Sequence, residues 1–124
     1  MRKSGKSPLL RSFGYAFTGI GRTIRDERNM KIHLVFTALV IIGGIVVRIS
    51  RAEWIVCLIL FGLVMGLELV NTAVEAAVDL VTEEKKPLAG KAKDAAAGAV
   101  LAAAIAAAVI GLIIFIPRIA LFFS

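Results

Sequence analysis

Charge is scarce in this sequence, and cysteine is nearly absent. Only 19% of its 124 residues are charged, against about 25% in ordinary soluble domains, while 59% are hydrophobic. A chain this small buries the smallest fraction of its surface, so it could not hide that much apolar area from water. The composition excludes a water-soluble globule. It also excludes disorder, which requires low hydrophobicity. The single cysteine, Cys57, rules out an internal disulfide framework. His33 has no cysteine or second histidine near it, so a zinc site lacks its ligands. Gly5-Lys6-Ser7 and Gly19-Ile20-Gly21 lack the further glycine and the strand that would make either one a phosphate-binding turn.

What the sequence does have is three long apolar stretches. Residues 32–47 carry no formal charge and, threonine aside, one polar side chain, His33. Residues 54–67 carry none, and residues 95–116 are uncharged, the apolar run resuming after Pro117-Arg118. A spanning helix needs about 20 apolar residues. The first and third stretches reach that length with their flanks, the second only by continuing through Glu68, Asn71 and Glu75. The reading is an all-α membrane protein in one domain over 1–124. Transmembrane helices are expected at 31–49, 52–81 and 92–118, with Trp54 as an aromatic-belt residue at a boundary.

The first thirty residues are expected to form an interfacial helix. Leu9, Leu10, Phe13, Phe17, Ile20 and Ile24 recur at helical spacing, with Arg11, Thr18, Arg22 and Arg25 on the opposite face. About thirty charged and amphipathic residues ahead of the first apolar run do not read as a cleavable signal. Glu27 falls on the apolar side of that helix, close to the first span, where it can point into the bundle. Arg2, Lys3, Lys6, Arg11, Arg22, Arg25, Arg28, Lys31, Lys85, Lys86, Lys91 and Lys93 lie on one side of the three spans. Only Arg48, Arg51 and Arg118 lie on the other. The asymmetry of twelve to three predicts a cytoplasmic N-terminus and second loop. The net charge of +6 therefore reads as topology and affinity for anionic lipid, with no nucleic-acid partner.

Glu68, Asn71, Glu75 and Asp79 follow at spacings of three, four and four, a stripe within about 80° of arc on one helix. A carboxylate near the centre of a spanning helix costs at least about 2.5–3.5 kcal/mol, and stacked carboxylates repel one another. A cation, protonation or basic partners must offset that cost. Carboxylate and amide oxygens suit Mg²⁺, and Mg²⁺ on a side where nucleotide is available points to phosphoryl transfer. Lys93 and Asp94 fall where the third span is expected to begin. They fit a phosphate contact and a helix cap, and they equally fit ordinary interfacial charges. Gly62 and Gly66, opposite the stripe, together with the alanines of the third span, predict close helix packing.

The run from Glu68 through Asn71-Thr72-Ala73 and Glu75 to Asp79 resembles the signature of the prokaryotic diacylglycerol kinase family, small integral-membrane lipid kinases. Ala92-Lys93-Asp94 through Gly98-Ala99-Val100, Arg25-Asp26-Glu27 and Gly14-Tyr15 match further positions of that family. The resemblance implies a homotrimeric bundle in the bacterial plasma membrane, with active sites shared between chains. It implies Glu68 as general base toward the lipid hydroxyl, supported by Asn71. Glu75 and Glu27 would hold Mg²⁺ on the ATP phosphates, and Tyr15, Glu84, Lys85, Lys86, Lys93 and Asp94 would contact nucleotide. There are two departures from the pattern. Lys85-Lys86 stands where relatives often carry Tyr-His, and Pro8 occupies the place of a basic nucleotide contact, for which Lys6 or Arg11 is the substitute.

Within the family, the stretch from Asp79 to Glu83, the stretch from Gly111 to Pro117 and the small-residue third span look more like the undecaprenol-phosphorylating type. The diacylglycerol type, which makes phosphatidic acid, is the alternative. From another class, a small proton-coupled transporter would use Glu68 or Glu75 as proton carrier, but needs neither Glu27 nor the Lys93-Asp94 pair. Binding of Mg-ATP separates the two. A non-catalytic membrane adaptor would leave the buried carboxylates unexplained.

Overall fold

Why the described residues are mostly helical follows from their caps and composition. In the computed structural model, which describes Gly5 and residues 7–124, helix α1 runs Pro8–Asp26, α2 Arg28–Val47, α3 Arg51–Val81 and α4 Pro87–Phe122. Ser7 caps α1 by accepting from the Leu10 N–H at 3.2 Å, and Pro8 fills the first helical position, where its missing N–H is harmless. Leu9, Leu10, Phe13 and Phe17 remain exposed along one face of α1, as an interfacial helix requires.

Among the described residues of the expected 1–30 segment, the surface helix covers Pro8–Asp26 and ends at a corner. Glu27 is extended (φ −104°, ψ 118°) and serves both as C-cap of α1 and N-cap of α2. No glycine or proline marks this break. What changes there is the pattern, from an amphipathic helix to one that is apolar all round, and the two need different directions relative to a membrane.

α2 stops at Val47, and Arg48 takes the left-handed conformation (φ 57°, ψ 59°) that glycine usually fills at this point. The Ile49 N–H then bonds back to the Gly44 carbonyl at 3.1 Å, and Ile49 is buried with Cys57 and Ile114. Ser50 and Glu53 start α3 with reciprocal hydrogen bonds, Glu53 N–H to Ser50 Oγ at 3.2 Å and Ser50 N–H to Glu53 Oε1 at 2.8 Å. A five-residue connection, 82–86, returns the chain into α4, which packs along α3 more extensively than any other pair of helices.

Among the described residues, three helices are long and apolar enough to cross a membrane: α2, α3 and α4. At 1.5 Å per residue they measure about 30, 46 and 54 Å, against a hydrocarbon layer of about 30 Å. Leucines, isoleucines and valines stay exposed all round them, and only a thin core is buried. Such a surface belongs in lipid or against other chains.

α4 begins five residues before the expected span. Lys86 is its N-cap and Pro87, with φ already set for a helix, its first residue. Asp94 therefore lies two turns inside the helix and is not a cap. Pro117 does not end α4, which continues to Phe122. Within one chain the close helix approach expected at Gly62 and Gly66 is absent, since a Cβ there would meet nothing within 4 Å. The tight contact lies instead at Gly44, where a Cβ would fall 2.8 Å from the Trp54 ring. Trp54 is half-buried against α2 as well as close to a helix end.

Candidate active site

α3 positions the site, because its residues at three- and four-residue spacing rise along one face while the environment changes. Glu68 is buried to 1% exposure and Asn71 to 6%, Glu75 is half-buried and Asp79 exposed. The Asn71 amide Nδ2 donates to Glu75 Oε1 at 3.0 Å, one helical turn away, which fixes that carboxylate toward the stripe. The Thr72 hydroxyl donates to the backbone carbonyl of Glu68 at 3.0 Å. Two buried oxygens among the described residues have no donor: Glu68 Oε2 and Asn71 Oδ1. A buried acceptor without a donor costs about 1–3 kcal/mol, more when charged.

The far end of the bundle supplies a depth marker. Arg118 of α4 donates through Nη2 to Glu53 Oε1 at 2.6 Å, an ion pair that closes α3 against α4. With this polar level as one edge of the apolar layer, Glu68 lies about 22 Å along α3 and Glu75 about 33 Å. A layer about 30 Å thick then holds Glu68 inside its opposite margin and leaves Glu75 at or just beyond it.

α4 and α2 complete the surroundings. Lys93 Nζ donates to Asp79 Oδ1 at 2.5 Å, so the ammonium is held beside the α3 stripe, within electrostatic reach of Glu75. Glu27, half-buried at the α1–α2 corner, and Glu75 both act electrostatically on Glu68. His33 of α2 places Nε2 3.7 Å from Glu68 Oε2. An apolar cleft of about 510 Å³ between α2, α3 and α4 has His33 and Thr37 among its lining residues, with Cys57, Phe61, Val64 and Phe115.

The expected residues divide into two groups. Glu27, Glu68, Asn71, Glu75, Asp79 and Lys93 lie at one end of the bundle, around the upper part of α3. Glu84, Lys85 and Lys86 are exposed in and beside the 82–86 connection, Lys86 pairing with Glu84 at 3.3 Å. Asp94 is exposed on α4, and Tyr15 and Arg11 lie on α1. Lys6, the other candidate for a basic nucleotide contact, lies outside the described residues, as do Arg2 and Lys3. Among the described residues, no three His, Cys, Asp or Glu side chains gather as a metal cage within the single chain.

Sequence reasoning missed two elements. His33 reads in the sequence as a lone histidine without zinc co-ligands, although a buried carboxylate on one span calls for a polar partner, and His33 and Thr37 are the candidates in the first apolar run. The Glu53–Arg118 pair joins residues 65 apart, so the pattern along one helix does not disclose it. A glutamate three residues after a serine signals a capping box at Ser50, but not the arginine across the bundle.

Comparison with known proteins fits this geometry. The family model of prokaryotic diacylglycerol kinases matches residues 14–115. The undecaprenol kinase of Bacillus subtilis (strain 168) is 46% identical over 111 residues, which cover 90% of each chain. A diacylglycerol kinase of Synechocystis is 42% identical over 110 residues, 88% of this chain and 63% of that longer protein. The diacylglycerol kinase of Escherichia coli (strain K12) is 27% identical over 106 residues, 86% of this chain and 87% of its own. A family match over most of the chain, with a relative at 46% identity along 90% of it, leaves one conclusion: the chain belongs to the prokaryotic diacylglycerol kinase family and is a membrane-embedded lipid kinase.

Proposed function

We propose that this enzyme phosphorylates undecaprenol with ATP at the cytoplasmic face of the bacterial plasma membrane. The observation that carries the reaction is the buried Glu68 carboxylate, on the same face of α3 as Glu75 and seven residues before it. A general base for a lipid hydroxyl has to stand where the lipid can reach it, while the groups that meet nucleotide stand toward water. The α3 stripe has that order.

In the reaction, the hydroxyl oxygen of the lipid bonds to the γ-phosphorus of ATP. The bond from that phosphorus to the β,γ-bridging oxygen breaks, its electron pair leaves with ADP, and Glu68 takes the hydroxyl proton. Asn71 holds Glu75, and Lys93, aligned by Asp79, supplies a cation to the phosphates. Tyr15, Glu84, Lys85, Lys86 and Asp94 complete the nucleotide side. Glu75 and Glu27 fit Mg²⁺, which takes oxygen ligands, needs only one or two carboxylates and completes its shell with water and phosphate oxygens. When bound, it neutralises charge on the phosphates.

The family resemblance implies a homotrimer, and the exposed apolar faces and the open space at Gly62 and Gly66 leave room for other copies of the chain. The basic asymmetry supports a cytoplasmic N-terminus. Diacylglycerol is the second reading, favoured by the Synechocystis relative's own name. Labelled ATP offered to purified protein in mixed micelles, with undecaprenol and diacylglycerol side by side, tests the choice. Label in undecaprenyl phosphate is the expected result, and label only in phosphatidic acid would reverse it.

A further inference from the structure

Glu68 needs a donor that its own helix does not provide. Its side chain is 1% exposed on a helix apolar enough to span a membrane, and a buried ionised carboxylate without a hydrogen bond is expensive. The nearby polar groups of α3 are committed elsewhere: Asn71 Nδ2 to Glu75, and the Thr72 hydroxyl to the Glu68 backbone carbonyl. Glu27 and Glu75, the carboxylates acting on Glu68, repel it when ionised. Lys93 of α4 is held by Asp79.

The group that faces the unpartnered Oε2 is His33 of α2, with Nε2 at 3.7 Å and the side chain 20% exposed. That separation is longer than a hydrogen bond, which lies near 2.7–3.2 Å, yet a small ring movement closes it. His33 also lines the apolar cleft between α2, α3 and α4, so it stands where the cleft meets the carboxylate.

We propose that His33 is a positioning residue for Glu68: its Nε2 donates to Oε2, holds the carboxylate in one orientation, and leaves the other oxygen free for the acceptor hydroxyl. The role rests on Glu68 being the base. It concerns α2, which carries none of the carboxylates or lysines of the kinase chemistry, and it ties the first span to the reacting end of the third helix.

The test uses two amides that differ in reach. In H33Q the side-chain nitrogen falls near the place of Nε2, whereas in H33N it falls near that of Nδ1. Kinetics of undecaprenol phosphorylation in mixed micelles should show kcat reduced about tenfold or more in H33N, with KM for ATP within about twofold, because a hydrogen bond to a charged group is lost. H33Q should recover kcat to within about threefold of wild type. Unfolding temperatures of the two variants should agree, since both bury an amide. In an E68Q background, H33N should cost almost nothing further, because two residues acting as a unit do not add.

The proposal is overturned if H33N and H33Q behave alike, whether both active or both inactive. It is overturned equally if H33N lowers E68Q by the same factor as it lowers wild type. An E68Q enzyme of full activity would remove the assignment of Glu68 and this proposal together. An impaired E68Q beside a fully active H33N would remove the His33 role alone.

Discussion

Replacing Lys93 with glutamine separates a structural ion pair from a nucleotide contact, because the two roles predict effects of very different size. The Lys93–Asp79 bond is short, 2.5 Å, but the side chains are 39% and 53% exposed. Pairs so open to water contribute little to stability after screening. Lys93→Gln should therefore lower the unfolding temperature in detergent by less than about 4 °C. A charge-assisted hydrogen bond to a phosphate is worth about 1.5–3 kcal/mol, so loss of the ammonium should weaken ATP about ten- to hundredfold. The assay is the KM for Mg-ATP at saturating lipid, beside a melting curve on the same preparation. An unchanged KM with a lowered melting temperature would refute the reasoning and leave Lys93 as a partner of Asp79 only.

Glu75→Gln removes an anionic oxygen from the Mg²⁺ side, and the Mg²⁺ concentration for half-maximal activity should rise about tenfold or more, since outer-shell partners alone cost 10–100-fold. Wild-type Mg²⁺ dependence would move the metal elsewhere. Gly44→Ala sets a methyl 2.8 Å from the Trp54 ring and 3.0 Å from Ile49, so overpacking should cost about 1–3 kcal/mol, read as a lower unfolding temperature with kinase activity per folded protein retained. Glu53→Ala loses both the capping box and the Arg118 pair, about 1–3 kcal/mol together, and Glu53→Gln should recover part of it by keeping an acceptor for the Ser50 N–H.

The helices were legible because lipid imposes simple rules. Spans appear as uncharged runs, and the surface helix as a 3.6-residue apolar period from Leu9 to Ile24. The carboxylate stripe was legible for the same reason: Glu68, Asn71, Glu75 and Asp79 must share a face on any helix that holds them. What the residues did not disclose depends on contacts between helices. Nothing at Glu27 marks a break, because the corner comes from a change of environment. Gly62 and Gly66 look like the packing face, yet the rotation of α3 within one chain turns them outward and brings Gly44 of α2 under Trp54. Pro87 is a legible helix start, masked by Lys93-Asp94, which resembles a boundary by charge. His33 next to Glu68, and Glu53 next to Arg118, require knowing which faces meet, which periodicity alone does not supply.

The central claim is that Glu68 accepts the proton of a lipid hydroxyl as phosphate transfers from ATP. The most direct measurement is single-turnover phosphorylation of undecaprenol in mixed micelles by wild type and Glu68→Gln, with ATP binding measured on the same samples. The amide keeps the shape of the side chain but cannot take the proton. Transfer should fall about a hundredfold or more while ATP binding stays within about twofold of wild type, as expected for loss of a general base. A fall of less than about tenfold would reduce Glu68 to positioning the hydroxyl, since the loose transition state of phosphoryl transfer leaves room for that role. Loss of ATP binding along with transfer would contradict the account, placing Glu68 with the metal or the fold instead of the reacting hydroxyl.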